Sequence, residues 1–247
     1  MSKQKNALLF EGMVSVRAVI ESGSRRIERL FYDQNRAKTH KSELAWLGHR
    51  ADELGFEIEL RRAKDIDEMT EGASHGGVCA VCGERPLFPV SEGDIIDGGF
   101  YLLLEGIEDP YNFGFAVRSA YAAGADGIIL PERNWMDSAG TVCRSSAGTS
   151  ERVPMYTLPE RGLAAIFKGK GYRVAAAEAD GSAEMWDADL SRPLLLVIGG
   201  EKRGISRAVL DECDLRVSIP YGREFNGALS AASASAVLCF EVMRQNR

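Results

Sequence analysis

The sequence predicts an α/β fold that is divided between two domains. Residues 100–104 and 194–198 are continuous apolar runs of strand length, which are typical of sheet strands covered on both faces. Segments with apolar residues at helical spacing lie between such runs. Residues 83–99 contain two prolines and four glycines, a composition typical of a linker. We therefore expect a first domain at residues 1–85, a linker at 86–99 and a second domain at 100–247.

The first domain alternates helices and strands. Apolar residues recur at helical spacing after Gly12 and again from Leu44 to Leu54, and Gly23 and Gly55 are expected to end these two helices. Strands are predicted at residues 27–32, 56–60 and 78–82, with a short helix around Ile66.

The composition and the absence of long apolar runs predict the cellular location of the protein. It is 45% hydrophobic and 27% charged, which is ordinary for a globular protein. No apolar run approaches the roughly 20 residues of a membrane span, and the lysine-containing N terminus lacks the apolar core of a signal peptide. We therefore expect a cytoplasmic protein with no membrane partner.

The five cysteines are scattered along the chain, as expected for reduced thiols. Cys79 and Cys82 form a C-x-x-C pair, but they lie on a predicted strand, where positions three apart point to opposite faces. No second pair and no histidine cluster completes a zinc set in the sequence. We expect a structural role for these cysteines and no bound metal.

The charge distribution leaves a nucleic-acid partner open. A net charge of −6 argues mildly against such a partner. However, the first 85 residues are electrically neutral, and their basic side chains cluster at residues 25–29, 36–41 and 61–64. Because phosphate contacts are local, such clusters could bind RNA, or they could be solvated surface charges.

The second domain begins with the strand at residues 100–104. A loop at 105–114 follows, shaped by Pro110 and Gly114 and with Asn112 at its apex, and a helix then carries Arg118. A strand is predicted at 127–130. Further along the chain we predict a strand at 154–157, a helix at 163–167 and a strand at 172–176.

The last fifty residues are expected to surround a ligand. Gly199 and Gly200 end the strand at 194–198 and let the backbone approach a ligand closely, where a Cβ would obstruct it. A turn into a short helix follows, and then a strand at 215–219 that Pro220 must end. A helix of Ala, Ser and Gly residues is predicted to start at Asn226, a good N-cap residue. Small residues let this helix lie close to a ligand or pack tightly on the sheet.

These segments resemble three motifs of the SpoU (TrmH-like) RNA 2′-O-methyltransferases of the SPOUT superfamily. The first comprises Asp109, Pro110, Asn112, Gly114 and Arg118; the second is IGGEKRGIS at 198–206; the third is SIPYG at 218–222 with ALSAASASAVLCFE at 228–241. The resemblance implies a trefoil-knotted methyltransferase domain. The His-Gly-Gly at 75–77 before a strand resembles the exit of the ribosomal-protein-L30e-like substrate-binding domain that precedes it in many SpoU enzymes.

The resemblance also implies the ligands. S-adenosylmethionine is the family's cofactor and RNA its substrate, either ribosomal or transfer RNA, with methyl transfer to a ribose 2′-hydroxyl and no metal. The cofactor-binding positions that match are Gly199, Gly200, Gly204, Ile219 and Leu229, which act through main-chain atoms. SPOUT proteins pair through their knotted domains, so the resemblance implies a homodimer.

Arg118 matches the family's catalytic residue, which is proposed there as a general base. A guanidinium stays protonated in proteins and is a poor base, so we favour a clamp on the target phosphate and ribose. Asn112 and Glu201 would hold that geometry.

The chain departs from the family at residues 228–230, where Ala-Leu-Ser replaces the usual Ser-Leu-Asn. If the helix starts at Asn226, that residue and Ser230 lie on one face and can together replace the missing asparagine. The departure leaves open an RNA-binding relative without catalysis. A SPOUT methyltransferase that acts on a base or another nucleophile is a second alternative.

Overall fold

The computed structural model describes residues 8–70, 75–131, 138–159, 162–179 and 183–247. The strands are β1 Leu8–Glu11, β2 Ile27–Asp33, β3 Glu57–Arg61, β4 Val78–Cys82, β5 Phe100–Glu105, β6 Gly127–Leu130, β7 Met155–Thr157, β8 Arg173–Ala177, β9 Ala183–Glu184, β10 Leu194–Gly199 and β11 Leu215–Ser218. The α-helices are α1 Gly12–Ser22, α2 Gln34–Thr39, α3 Lys41–Leu54, α4 Ala63–Asp67, α5 Pro110–Ala122, α6 Ala139–Ser145, α7 Thr149–Arg152, α8 Leu163–Phe167, α9 Arg207–Leu210 and α10 Ala231–Gln245. Within the described residues, no helix has the length and hydrophobicity needed to span a bilayer.

The chain folds into two compact units. The first contains the described residues up to 86 together with 138–152, and the second contains 87–131 and the described residues from 153 onward. Residues 86–99, the expected linker, include Val90 and Ile95, which are buried in the hydrophobic core of the second unit.

The first unit is built on a four-stranded sheet in the order β1-β4-β2-β3. Strand β4 is antiparallel to both of its neighbours, and β2 runs parallel to β3. Gly23 and Gly55 follow α1 and α3 in left-handed conformations, at φ +63° and +73°, so they end these helices as predicted. The structure adds β1 and α2, which the sequence analysis did not predict.

The Cys-x-x-Cys strand confirms the predicted alternation of faces. Cys79 packs with Phe31 and Ile66, whereas Cys82 lies in the main core of the unit. Burial raises the pKa of both thiols to about 12, so they stay protonated at neutral pH. Among the described residues, no group of three or more His, Cys, Asp or Glu side chains is placed to hold a metal ion.

Helices α6 and α7 pack in the first unit although they follow β6 in the chain. Two glycines permit this contact. A Cβ on Gly140 would lie 1.9 Å from the Leu9 carbonyl oxygen, and one on Gly148 would lie 2.6 Å from the Ala18 Cβ. These glycines are therefore explained by packing against β1 and α1.

A buried ion pair joins this segment to the start of β2. The Arg25 Nε donates to the Glu151 Oε2 at 2.9 Å, and the two side chains are 4% and 2% exposed. The Ser24 hydroxyl donates to the same carboxylate oxygen at 2.7 Å. The Arg25 guanidinium also donates to the Gly83 carbonyl at 3.3 Å. The carboxylate is thus the centre of a hydrogen-bonded network inside the first unit.

We expect Glu151→Ala to destabilise the protein by about 3–5 kcal/mol, because it leaves the Arg25 charge buried and unpaired. Thermal and urea unfolding of the full-length variant measure this loss in the free energy of unfolding. Glu21→Ala is the matched control, since it removes an ion pair with Arg152 in which both side chains are at least one-third exposed. The control should cost less than about 1 kcal/mol. Equal unfolding midpoints for the two variants would contradict the prediction.

The second unit is built on a seven-stranded parallel sheet in the order β7-β6-β5-β10-β8-β11-β9. Strand β10 is central and pairs with β5 and β8, so that Leu196 lies between Leu102 and Ala175. Its residues 194–198 are all buried, as predicted for a strand covered on both faces. The predicted α/β fold class is confirmed.

Two predicted helix boundaries are wrong. Helix α5 begins at Pro110, so Asn112 lies in its first turn and not at the apex of a loop. Helix α10 begins at Ala231, with Ser230 as its N-cap, and not at Asn226. In both cases a different polar residue caps the helix, Asp109 in the first and Ser230 in the second.

Candidate active site

A cavity of about 640 Å³ lies at the carboxyl ends of β8, β10 and β11. Ligands of parallel sheets commonly bind at this edge, and the volume is typical of a small-molecule site. All five predicted cofactor-binding residues line it: Gly199, Gly200, Gly204, Ile219 and Leu229. Two of the predicted catalytic residues, Glu201 and Asn226, also line it.

The loop after β10 approaches the loop after β5 more closely than side chains would allow. The Gly200 amide donates to the Glu105 carbonyl at 2.7 Å. A Cβ on Gly200 would lie 2.0 Å from the Gly106 carbonyl oxygen, and one on Gly199 would lie 2.5 Å from the Gly204 carbonyl carbon. Both positions therefore require glycine, as the sequence predicts.

The Glu201 carboxylate connects the three motifs. Its Oε1 accepts hydrogen bonds from the Asn112 Nδ2 and from the Ala231 backbone amide, both at 3.0 Å. These donors belong to the first turns of α5 and α10, and a carboxylate at a helix N terminus is electrostatically favourable. One oxygen atom thus fixes two helix starts beside the cavity.

Asn112 is positioned by the cap of its own helix. The Asp109 Oδ1 accepts a hydrogen bond from the Asn112 amide at 2.8 Å, and Pro110 occupies the first helical position. Asp followed by Pro is a helix-start signal, so the true boundary could have been predicted from the sequence.

Ser230 has a different place from the predicted one. Its Oγ accepts from the Ser233 amide at 3.2 Å and caps α10. Asn226 lies in the preceding loop, so the two residues do not share a helix face, and that prediction is wrong. Through the cap, Ser230 supports the turn whose first amide, that of Ala231, binds Glu201.

Arg118 does not line the cavity of its own chain. It lies in the third turn of α5, and its side chain is exposed. Within the part of the chain that the structure describes, it takes part in no hydrogen bond or ion pair, so it is not held in a structural ion pair.

The structure adds cavity residues that the sequence analysis did not name as site residues, among them Glu178, Tyr221 and Phe225. Glu178 directly follows β8, and a carboxylate at the carboxyl end of a parallel strand is a signal that could have identified it. Tyr221 Oη accepts a hydrogen bond from the Leu229 amide at 3.2 Å.

The site residues fit a cofactor that carries a positive charge and an adenosine group. Glu178 and Glu201 bring two carboxylates to the cavity, which complement a cationic sulfonium. Main-chain groups of the loops after β10 and β11 can bind adenine, because the glycines leave the backbone uncovered.

Comparison with known proteins gives the family. The sequence profile described as the SpoU rRNA methylase family matches residues 99–240, which is more than half of the chain. The chain belongs to the SpoU family. A second profile, described as RNA 2′-O ribose methyltransferase substrate binding, matches residues 9–87.

Relatives and solved structures agree with this assignment. The chain is 30% identical over 251 residues to the 23S rRNA (guanosine-2′-O-)-methyltransferase RlmB of Shewanella oneidensis, with 99% of each chain covered. Its structure resembles the SpoU methyltransferase AviRb from Streptomyces viridochromogenes in complex with AdoMet, with a TM-score of 0.80, 25% identity, and coverage of 98% of this chain and 92% of that one. An AdoMet-bound rRNA methyltransferase from Sinorhizobium meliloti has the same fold, with a TM-score of 0.80, 23% identity, and coverage of 98% and 88%.

The second unit therefore has the SPOUT methyltransferase fold. The chain is an RNA ribose 2′-O-methyltransferase, and S-adenosylmethionine is its methyl donor.

Proposed function

We propose that the chain methylates one ribose 2′-hydroxyl of ribosomal RNA, with residues 1–85 binding RNA and 100–247 carrying out catalysis. The observation that carries this proposal is the bridge from Glu201 to Asn112 and to the start of α10 at the mouth of the cavity. Ribosomal RNA is favoured because the relative from Shewanella oneidensis, which is similar over nearly its whole length, carries that substrate in its name. We also propose that the protein acts on this substrate in the cytoplasm.

The reaction is an in-line displacement. S-adenosylmethionine, when bound, supplies an electrophilic methyl group and leaves as a neutral thioether. The RNA 2′-oxygen forms the new bond to the methyl carbon and loses its proton to the surrounding water. The chain contributes positioning: its glycine loops hold the donor through the backbone, and Glu201 and Asn112 hold the loops relative to α5. No step of the proposed mechanism needs a metal.

Arg118 is proposed as the clamp on the target nucleotide. A guanidinium has donors arranged as a fork, which can bind a phosphate oxygen and a ribose oxygen together. Its exposed position outside the cavity of its own chain supports a role in a partner subunit's cavity.

A homodimer would bring Arg118 to that place. Helices α5 and α10 pack against each other and leave large aromatic side chains exposed: Tyr111 and Phe115 on α5 and Phe240 on α10. Phe115 and Arg118 are three residues apart and are neighbours on the surface of α5. We propose that this surface pairs with a second copy of the chain. Light scattering after gel filtration tests the dimer; a monomeric mass at micromolar concentration with methylation intact contradicts it.

The trefoil knot is part of the same proposal. The close approach of the loops after β5 and β10, where a Cβ on Gly200 would lie 2.0 Å from the Gly106 carbonyl oxygen, supports a chain path in which one loop encloses another.

We propose that Ser230 and Asn226 contribute separately to positioning, Ser230 through the cap of α10 and Asn226 from the cavity lining. Ser230→Ala removes the cap of α10, and Asn226→Ala removes a polar group from the cavity. We expect each variant to slow single-turnover methylation by about 5- to 150-fold, from the loss of about 1–3 kcal/mol of positioning. Ser22→Ala is the control, because that hydroxyl bonds within α1. Unchanged rates in both Ser230→Ala and Asn226→Ala would restrict this segment to a structural role.

The substrate is tested in a deletion strain. Primer extension and mass mapping of its ribosomal and transfer RNA should show one missing 2′-O-methyl group in ribosomal RNA. Loss of a methyl group from transfer RNA instead would contradict the proposed substrate.

A further inference from the structure

Two aromatic side chains at the cavity mouth have no role in the mechanism above. Tyr221 and Phe225 lie in the loop between β11 and α10, and both line the cavity. Their rings meet edge to face, with centroids 5.5 Å apart and planes at 71°. Phe225 is 56% exposed and Tyr221 is 44% exposed. Large rings left open to water at the rim of a binding cavity are suited to a ligand that covers them.

The loop holds the Phe225 ring in place from two sides. A Cβ on Gly227 would lie 2.6 Å from the Phe225 Cζ, so the ring rests directly on the backbone at that glycine. The Tyr221 ring contacts a second side of the Phe225 ring, and the Leu229 amide donates a hydrogen bond to the Tyr221 hydroxyl. A ring that is already positioned loses little freedom when a ligand stacks on it.

Two arginines in the loops that line the cavity are available to a phosphate-bearing ligand. Arg223 lies between the two aromatic residues in the chain, and Arg203 lies in the loop after β10. Both side chains are exposed, and neither takes part in an ion pair within the described residues. Glu224 lies beside Arg223 in the chain, and Glu178 and Glu201 line the cavity, so a phosphate would have to contact the arginines directly. An exposed aromatic ring flanked by basic groups is typical of single-stranded nucleic-acid binding.

We propose that Phe225, supported by Tyr221, is a stacking platform for a nucleobase of the RNA at or next to the methylated nucleotide. This inference rests on the proposed function and assigns a substrate-positioning role to the loop at 221–227. The neighbouring phosphates would contact Arg203 and Arg223. The cofactor would occupy the part of the cavity lined by Gly199 and Ile219, and the base would occupy the part lined by the exposed Phe225 ring.

Three variants test the platform. Phe225→Leu keeps an apolar side chain but removes the aromatic face, and Phe225→Tyr keeps the face. Phe88→Ala is the matched control, because Phe88 is 68% exposed and its carbonyl bonds to β7, at the opposite edge of the sheet from β11. Single-turnover methylation is measured as a function of RNA concentration, and S-adenosylmethionine affinity is measured by calorimetry without RNA.

We expect Phe225→Leu to raise the half-saturating RNA concentration by about 5- to 150-fold, as is typical for one stacked base. Phe225→Tyr and Phe88→Ala should resemble the unaltered protein, and cofactor affinity should stay unchanged in all three. In RNA with an abasic site at the stacked position, the difference between Phe225→Leu and the unaltered protein should disappear.

If Phe225→Leu had the same half-saturating RNA concentration as the unaltered protein, the proposed stacking platform would be wrong. A loss of cofactor affinity equal to the loss of RNA affinity would also contradict it, because the ring would then belong to the cofactor site. Failure of the proposed function gives a different result: the unaltered protein would place the methyl group on a base or in transfer RNA. The RNA-binding affinities of the same variants would then still show whether Phe225 stacks on a nucleobase.

Discussion

Arg118→Ala should reduce methyl transfer by about 10³-fold while leaving S-adenosylmethionine affinity nearly unchanged. The separation is expected because the cofactor-binding glycines line a cavity that Arg118 of the same chain does not line. Arg118→Lys should fail almost as badly, since an ammonium group is a point charge and cannot hold two oxygens in a fixed geometry. Single-turnover rates and calorimetry measure the two effects.

The matched control for these variants is Arg207→Ala. Arg207 lies on α9, is highly exposed, and pairs with Asp211 one helical turn away. Its removal should leave the rate unchanged. Near-normal turnover in Arg118→Lys would refute the clamp, and weakened cofactor binding in Arg118→Ala would place this side chain in the cofactor site.

Gly200→Ala should weaken S-adenosylmethionine binding by about 100-fold or more and should also lower the melting temperature. The added methyl group would lie 2.0 Å from the Gly106 carbonyl oxygen and 2.9 Å from the Ile107 amide nitrogen. Both neighbours are backbone atoms, so the two loops must separate to admit it. The cavity is lined by one of these loops, and its shape changes with that separation.

Gly222→Ala is the control for this substitution. A Cβ on Gly222 would meet nothing within 4 Å. That variant should bind the cofactor as the unaltered protein does, although it lies in a neighbouring loop. Equal affinity in Gly200→Ala and Gly222→Ala would show that the close approach of the loops is not needed for binding.

The sequence alone predicts the bounds of those helices and strands whose signals lie within a few neighbouring residues. The bounds of β4, β6 and α8 agree with the predicted segments, because each is an apolar run bordered by glycine, proline or polar residues. The two errors at helix starts have one cause. Each helix is capped by a neighbouring polar residue, Asp109 for α5 and Ser230 for α10, and that residue sets where the helix begins.

Contacts between distant parts of the chain could not be predicted. Glu201 and Asn112 are 89 residues apart, and Arg25 and Glu151 are 126 residues apart. No periodicity links such pairs, since their approach depends on how the sheets are ordered. The resemblance to SpoU motifs predicted the five cofactor-binding residues that line the cavity, but only the geometry shows that one carboxylate oxygen joins two helix starts.

The most direct test of the central claim is to identify the methylated atom. The purified protein is incubated with ribosomal RNA and S-adenosylmethionine carrying a labelled methyl group, and the RNA is then digested to nucleosides and analysed by mass spectrometry. We predict the label in a 2′-O-methylribose nucleoside, with the neighbouring phosphodiester resistant to alkali. Label on a nucleobase, or no transfer under conditions in which the protein binds the cofactor, would contradict the account.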